Sequence, residues 1–134
     1  QGGDYGNALQ AAAYRGNEVV FKLLLDKGAH VNAQGGRYGN ALQAAAASRG
    51  NEAVIKLLLD KGADVNAQGG HYGNALQAAA SRGNEAVVKL LLDKGAHINA
   101  QDGGYSNALQ AAVYQGNEAV VKLLIDRGAV KVDL

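Results

Sequence analysis

The stretch G-N-A-L-Q-A-A at residues 39–45 decides the fold, because it recurs at residues 6–12 and 73–79 and, with Ser in first place, at 106–112. A second block, which opens with G-N-E and continues as V-K-L-L-L-D-K-G-A or a near variant, begins at Gly16, Gly50, Gly83 and Gly116. The blocks alternate with a period of 33 or 34 residues, which is typical of stacked repeats. The sequence therefore predicts one domain of four units, at 1–33, 34–67, 68–100 and 101–134.

Each unit contains two short helices, as its helix-capping residues indicate. Asn7 precedes an apolar stretch and is the expected N-cap of the first helix, and Gln10 stands three positions later, where a capping-box residue would reach back to the helix start. Gly16 is expected to end that helix, and Asn17 to cap the second one. The unit is therefore helix, turn, helix and connecting loop.

The second helix and the loop have patterns of their own. Four apolar residues recur at i, i+1, i+4 and i+5 and predict one buried stripe, namely Val19, Val20, Leu23 and Leu24. The segment 29–38 that follows contains Gly35 and Gly36, which favours an extended turn or a β-hairpin.

Composition excludes several classes of function. The chain has 13 basic and 12 acidic residues, interspersed, so it lacks the basic face of a nucleic-acid-binding protein. Its apolar runs are far shorter than the ~20 residues that cross a bilayer, so we expect no membrane partner. It contains no cysteine, so the fold cannot depend on disulfides, and an intracellular, cytoplasmic location is favoured.

Period, element order and the hexapeptide G-A-D-V-N-A at 62–67 resemble the ankyrin repeat, and the resemblance covers essentially the whole chain. The T-P-L-H tetrapeptide of that family is replaced in every unit by N-A-L-Q, as at 40–43. The resemblance implies an all-α repeat solenoid, in which four stacked helix-turn-helix units are joined by β-hairpin-like loops.

The combination G-G-x-Y-G-N-A-L-Q-A-A with R-G-N-E is similar to ankyrin arrays of large fungal proteins, including nucleotide-binding immune-like receptors that carry them as sensors. The second and third units are nearly identical, which fits either recent duplication or a consensus-like engineered array. The sequence begins in mid-pattern at Gln1, so we expect a piece of a longer array or an engineered chain.

The resemblance implies a non-catalytic protein–protein interaction module, which binds a macromolecular partner on its concave face through hairpin tips and first helices. Positions that differ between units are the candidate contacts. In the loops they are Asp4, Arg37 and His71. At the ends of the first helices they are Tyr14, Arg15, Ser48, Arg49, Ser81, Arg82, Tyr114 and Gln115. After the second helices they are His30, Asp64 and His97.

A tyrosine recurs once in each unit, at Tyr5, Tyr38, Tyr72 and Tyr105. A Tyr that is identical in every unit more often packs its loop against a neighbour, and the alternative is a binding anchor. Two interpretations also exist for Arg37, Arg49 and Arg82, either solvated surface charge or a shared basic strip on the concave face.

The second unit has four alanines, 44–47, where the first and third units have three. One extra residue rotates a helix by ~100°, so either the turn at Ser48 and Arg49 lengthens or a π-bulge forms in the helix. We favour accommodation in the turn.

No enzyme activity, cofactor or metal is expected. His30 and His97 occupy equivalent positions two units apart, roughly 20 Å at about 8–10 Å per helix layer, and no nucleophile motif occurs. Neither terminal unit has a polar outer face: the last one keeps Val120, Val121, Leu124 and Ile125. The alternative function is therefore a structural spacer or a scaffold that self-associates weakly end to end.

Overall fold

The computed structural model describes residues 2–48, 52–101 and 107–129. Within these residues the chain forms eight α-helices in four consecutive pairs. The pairs are α1 (Gly2–Arg15) with α2 (Glu18–Asp26), α3 (Ala41–Ala47) with α4 (Glu52–Asp60), α5 (Ala75–Arg82) with α6 (Glu85–Asp93), and α7 (Ala108–Gln115) with α8 (Glu118–Asp126). The described residues contain two isolated β-bridges and no longer strand, so the all-α class is confirmed.

The helix pairs stack in chain order. Each first helix packs on its own partner and on the first helix of the next pair, so that α1, α3, α5 and α7 form one continuous layer. Alanines fill this layer, and those at 44–47 and 78–80 are almost completely buried. Small side chains let neighbouring helices approach closely. The result is a solenoid in which each pair packs mainly against the next.

The predicted N-caps of the first helices are confirmed in the later pairs. The Oδ1 atom of Asn40 accepts a hydrogen bond from the Gln43 backbone N–H at 2.8 Å, and Asn74 and Asn107 repeat this bond. Gly83 ends α5 in the left-handed conformation at φ 74°, as expected of a C-terminal glycine. In the last pair, Asn117 caps nothing with its side chain, and its Nδ2 donates instead to Ala80 O at 2.9 Å.

Two cap predictions are wrong. In the first pair the helix begins at Gly2, so Asn7 lies inside α1 and does not precede it. The side chain of Gln43 does not reach back to its cap either: its Nε2 donates forward to Ala67 O at 3.5 Å. The buried amide of Gln43 therefore bonds to a carbonyl of the following loop and not to the N-cap residue.

The apolar stripe of the second helices is displaced by one residue from the prediction. The buried residues of α4 are Val54, Ile55 and Leu58, which correspond to Val20, Phe21 and Leu24 of α2. Phe21 is fully buried, whereas 77% of Val19 is exposed. Because α2 has consecutive apolar residues on both sides of the stripe, periodicity alone could not determine which of them face the core.

The extra residue of the second unit is accommodated after the helix. Helix α3 ends at Ala47, and Ser48 is extended at φ −82° and ψ −173°, where α5 continues one residue further to Arg82. The Ser48 hydroxyl donates to Ala45 O at 2.7 Å and closes the helix end. Within the described part of α3 the helix is regular, so the turn, and not a π-bulge, absorbs the insertion.

Asparagines in the connecting segments join neighbouring pairs. The Asn66 amide donates through Nδ2 to Gly95 O at 3.1 Å and accepts at Oδ1 from the His97 N–H at 2.8 Å. Asn32 makes the same two bonds to Gly62 O and Asp64 N. Each amide therefore binds both a helix-end carbonyl and the next loop.

We expect Asn66→Ala to lower the free energy of unfolding by about 1–2 kcal/mol, because two hydrogen bonds between pairs are lost. Asn66→Asp keeps the acceptor but loses the donor, so it should cost less than Asn66→Ala. Urea denaturation followed by circular dichroism measures both. Equal stability of Asn66→Ala and the unchanged chain would contradict a joining role for this side chain.

Candidate functional site

The loops before α3 and α5 form one connected surface, which we call the loop ridge (residues 34–39 and 68–73). Each loop closes on itself through a β-bridge, in which Gly35 N donates to Gly39 O at 2.9 Å and Gly69 N donates to Gly73 O at 3.0 Å. These bridges are the compact turns that the glycines predict. The two loops are then joined by a bond from His71 N to Arg37 O at 2.8 Å.

Gly70 is what allows the loops to touch. It has φ +68°, and a Cβ built on it would lie 2.5 Å from the Tyr38 carbonyl carbon. No side chain fits into that space, since real Cβ atoms do not approach a backbone so closely. The ridge therefore depends on a backbone contact, and it carries Arg37 and His71 side by side as exposed side chains.

Two of the recurring tyrosines pack against the core. Tyr38 and Tyr72 are half-buried and lie against the core, and the ring of His71 meets Tyr72 edge-on with centroids 5.2 Å apart. Tyr38 also stacks on Tyr14 from the end of α1, with centroids 5.1 Å apart and an interplanar angle of 28°. The side chain of Tyr5 and the whole of Tyr105 lie outside the described residues.

Burial raises the pKa of Tyr38 above its usual 10.0, and a hydrogen bond with the Tyr14 hydroxyl raises it further. Tyr38 is therefore neutral at physiological pH and adds no negative charge to its surroundings. Because the folded-state pKa is the higher one, this tyrosine contributes stability that is present below pH 10 and lost as the pH rises through the folded pKa.

Tyr14→Phe should lower the pKa of Tyr38, because the hydrogen bond disappears while most of the burial remains. The tyrosine ultraviolet absorbance change with pH measures it, after subtraction of the titration of a Tyr38→Phe variant. Tyr114→Phe, in the last pair, is the matched control and should leave the Tyr38 titration unchanged. A Tyr38 that titrates at the same pH in all three chains would contradict the pairing.

A cleft of about 380 Å³ opens beside the stacked rings, and we call it the tyrosine cleft. The end of α1 and the first loop of the ridge line it, with Gln10, Ala11, Tyr14, Arg15, Gly36, Arg37 and Tyr38. The described lining contains two guanidinium groups and no carboxylate. Gln10 Nε2 donates to Gly35 O at 3.0 Å and fixes the loop to the helix.

The shared basic strip, one of the two interpretations of Arg37, Arg49 and Arg82, does not form a single cleft among the described residues. Arg37 shares its cleft with Arg15, whereas Arg82 lines a second, more open cleft of about 570 Å³ together with Ser48 and Asn84. Arg49 lies outside the described residues. The structure thus pairs Arg37 with a residue of the preceding helix.

The remaining predicted contacts lie apart from this cleft. The structure corrects the prediction that Ser48 is an exposed contact, because this residue is only 6% exposed and its hydroxyl donates to Ala45 O. Ser81 is half-buried, and the side chain of Asp4 is not among those described. The others are exposed on separate helix ends and loops: His30, Asp64, Arg82, His97, Tyr114 and Gln115. In the described residues no three His, Cys, Asp or Glu side chains gather as a metal site would require.

Both ends of the described solenoid expose apolar side chains. On the first pair these are Val19, Val20 and Leu23. On the last pair they are Val113, Tyr114 and Ile125, whereas Val120 and Leu124 are buried. Position 20 is the counterpart of Val54, which is fully buried inside the array, so the exposed residues mark the faces where a neighbouring unit would pack.

Comparison with protein families agrees with this architecture. A family model of three ankyrin repeats matches residues 1–69, and a second model of ankyrin repeats matches residues 76–125. The chain belongs to the ankyrin repeat family. Ankyrin repeats generally mediate protein–protein interactions and are typically non-catalytic. A search of curated proteins found no match to this ankyrin array. None of its described helices is both long and apolar enough to cross a bilayer.

Proposed function

We propose that this ankyrin array is a non-catalytic module that binds a protein partner through its concave face, formed by the loop ridge and the exposed ends of the first helices. One observation carries the proposal. The apolar residues Leu42 and Leu76 are identical at equivalent positions and buried, whereas Arg37 and His71 differ at equivalent positions and are exposed on a hydrogen-bonded backbone. Fixed scaffold beneath variable exposed side chains is the arrangement that a recognition surface needs.

The proposal keeps the chain as one domain with repeats at 1–33, 34–67, 68–100 and 101–134. It includes an intracellular, cytoplasmic place of action and a protein ligand, with no part for nucleic acid. It also includes the affinity of these units with the ankyrin arrays of large fungal proteins, on the strength of the G-G-x-Y-G-N-A-L-Q-A-A pattern.

The test begins with capture of proteins from a fungal lysate on the immobilised array and their identification by mass spectrometry. Each captured protein is then purified, and its affinity is measured by calorimetry. A triple variant with Arg37→Ala, His71→Ala and Arg82→Ala should bind about ten-fold or more weakly, because interface energy concentrates in a few such residues.

The matched control changes Lys27, Lys61 and Lys94 to Ala, all exposed at the ends of second helices. It should retain the affinity of the unchanged array. If the triple variant and the lysine control bind each purified protein with equal affinity, the concave face is not the recognition surface.

The second candidate function is a spacer that self-associates end to end, which the exposed apolar residues of the first and last pairs favour. In that case the mass in sedimentation should rise with concentration. Val113→Ser combined with Tyr114→Ser should abolish the rise, because these side chains would lie in the junction. A monomeric mass at every concentration, with both terminal pairs protected from hydrogen exchange, would leave no support for self-stacking.

A further inference from the structure

We propose that the tyrosine cleft is a subsite for an acidic protein segment in which an aromatic side chain stands beside Asp or Glu. The inference rests on the proposed function, since it names the chemistry of the ligand on the same face. It concerns one place, where α1 ends against the first loop of the ridge.

The wall of the cleft suits a flat apolar side chain. The rings of Tyr14 and Tyr38 are stacked with centroids 5.1 Å apart, and 40% of Tyr14 is exposed. Ala11 adds a small apolar surface beside them. A volume of about 380 Å³ is enough for one aromatic side chain, and aromatic rings favour stacked or edge-on contacts with one another.

The charge of the cleft determines what stands next to that ring. Arg15 and Arg37 are exposed and line the cleft together with the tyrosines, and neither forms an ion pair among the described residues. Arg127 shows the contrast, because its guanidinium contacts Asp93 at 3.4 Å. Two guanidinium groups with no internal acidic partner fit the carboxylates of a ligand, which arginine binds through two parallel hydrogen bonds.

The cleft is held in shape before any ligand arrives. The loop that carries Arg37 is closed by the Gly35–Gly39 bridge and is bonded to Gln10 of α1. The bond from His71 N to Arg37 O holds it from the other side. A binding site that is already ordered loses little conformational entropy on association.

Tyr14 makes this subsite different from the equivalent places in the next units. Seven residues after its cap, α3 has Ala47 and α5 has Ser81, so neither presents a ring to the following loop. The loop tyrosine is common to the units, but the stacked pair is not. Selectivity for an aromatic residue is therefore assigned to the junction of the first and second units.

The first experiment is an unbiased peptide-display selection on the full chain. We expect enrichment of peptides that carry an aromatic residue flanked by Asp or Glu. The same selection on the full chain with Arg37→Gln should lose that enrichment, and Lys94→Gln, which removes one exposed charge elsewhere, should keep it.

Fluorescence anisotropy then uses the labelled peptide Glu-Glu-Phe-Asp-Glu-Glu as probe. Arg37→Gln, Arg15→Gln and Tyr14→Ser should each weaken binding by about ten-fold or more, because a charge-assisted contact or the ring wall is lost. Tyr14→Phe keeps the wall and should bind within about three-fold of the unchanged chain, which separates loss of the ring from misfolding. Circular dichroism confirms the helix content of each variant.

Two control peptides complete the design. Replacement of the acidic residues by Gln and Asn, or of Phe by Ala, should each reduce binding by about ten-fold or more. Binding should also weaken between about 0.1 and 1 M salt, where the Debye length falls from about 10 to 3 Å.

Three other outcomes overturn the inference in different ways. If the selection enriches peptides of other chemistry, and the triple variant of the preceding section no longer binds those peptides, the array is a binding module whose tyrosine cleft has another role. If no peptide is enriched, and the purified lysate partners bind the triple variant with the affinity of the unchanged array, the inference and the proposed function fail together. Retention of the probe by Arg37→Gln and Tyr14→Ser also overturns the inference, even where the proposed function stands.

Discussion

Leu58→Ala should destabilise the array by about 2–5 kcal/mol, because it removes a buried side chain and leaves a cavity that rigid neighbours cannot fill. Leu58 is fully buried in α4, together with Val54 and Ile55. Urea denaturation measured by circular dichroism gives the loss. Its effect should extend to adjacent pairs, since each pair of a solenoid is stabilised by its neighbours.

Leu23→Ala is the matched control for this change. It removes the same atoms from another second helix, but 53% of Leu23 is exposed, so we expect a loss below about 1 kcal/mol. Hydrogen exchange should show reduced protection on both sides of α4 in Leu58→Ala and only local changes in Leu23→Ala. Similar losses in the two variants would contradict the assignment of the core to positions such as 58.

This comparison also shows what the sequence could not determine. The repeat period and the caps are local signals, so the helix pairs and bonds such as Asn40 to Gln43 were predictable from residue type and spacing. The phase of the second helix was not, because Val19, Val20 and Phe21 are consecutive and apolar. Which of them is buried depends on how α2 docks against other helices, which is a tertiary property.

The start of the first helix is another case where local chemistry was insufficient. An Asn before an apolar stretch begins the helix in the later pairs, yet Asn7 lies inside α1. The same tetrapeptide, N-A-L-Q, therefore follows the start of a helix in the later pairs and lies inside one in the first pair, which residue type and spacing alone do not distinguish. Bonds over long sequence separations, for example Gln10 to Gly35, cannot be seen in the tetrapeptide.

The candidate site was predicted in pieces. Tyr14 and Arg15 were assigned to one set of variable positions, and Arg37 and Tyr38 to the loop positions, 23 residues further along. The structure unites them because the end of α1 lies beside the loop of the next unit. Comparison of residues about two-thirds of a period apart, in place of residues at equivalent positions of two units, would have found this pairing.

The residues that join the units were missed although they were visible. Asn32, Asn66 and Asn99 are identical in the same place of successive units, as are the glutamines that follow the caps. A polar residue that never varies among variable neighbours indicates an obligatory hydrogen bond. Asn66 and Gln10 confirm this, since each bonds to the backbone of the following unit.

Gly70→Ala should cost about 2–5 kcal/mol and should separate the two loops of the ridge. A non-glycine residue in the left-handed region loses about 1–2 kcal/mol, and overpacking against a rigid neighbour adds about 1–3 kcal/mol. Here the new Cβ would meet Tyr38 C at 2.5 Å and Gly39 N at 2.6 Å, both backbone atoms that cannot rotate away. The bond from His71 N to Arg37 O should therefore break, and the His71 amide hydrogen should exchange faster.

Gly116→Ala distinguishes the two contributions. Gly116 has φ +72°, close to the +68° of Gly70, but a Cβ on it would meet nothing within 4 Å. It should therefore show only the conformational cost of about 1–2 kcal/mol and leave the exchange of His71 unchanged. The difference between the variants measures the contact between loops, and it should appear again as weaker binding of any ligand that contacts Arg37 and His71 together. Equal losses in the two variants would mean that the loops are free to move apart, and a recognition surface built on a rigid ridge would lose its basis.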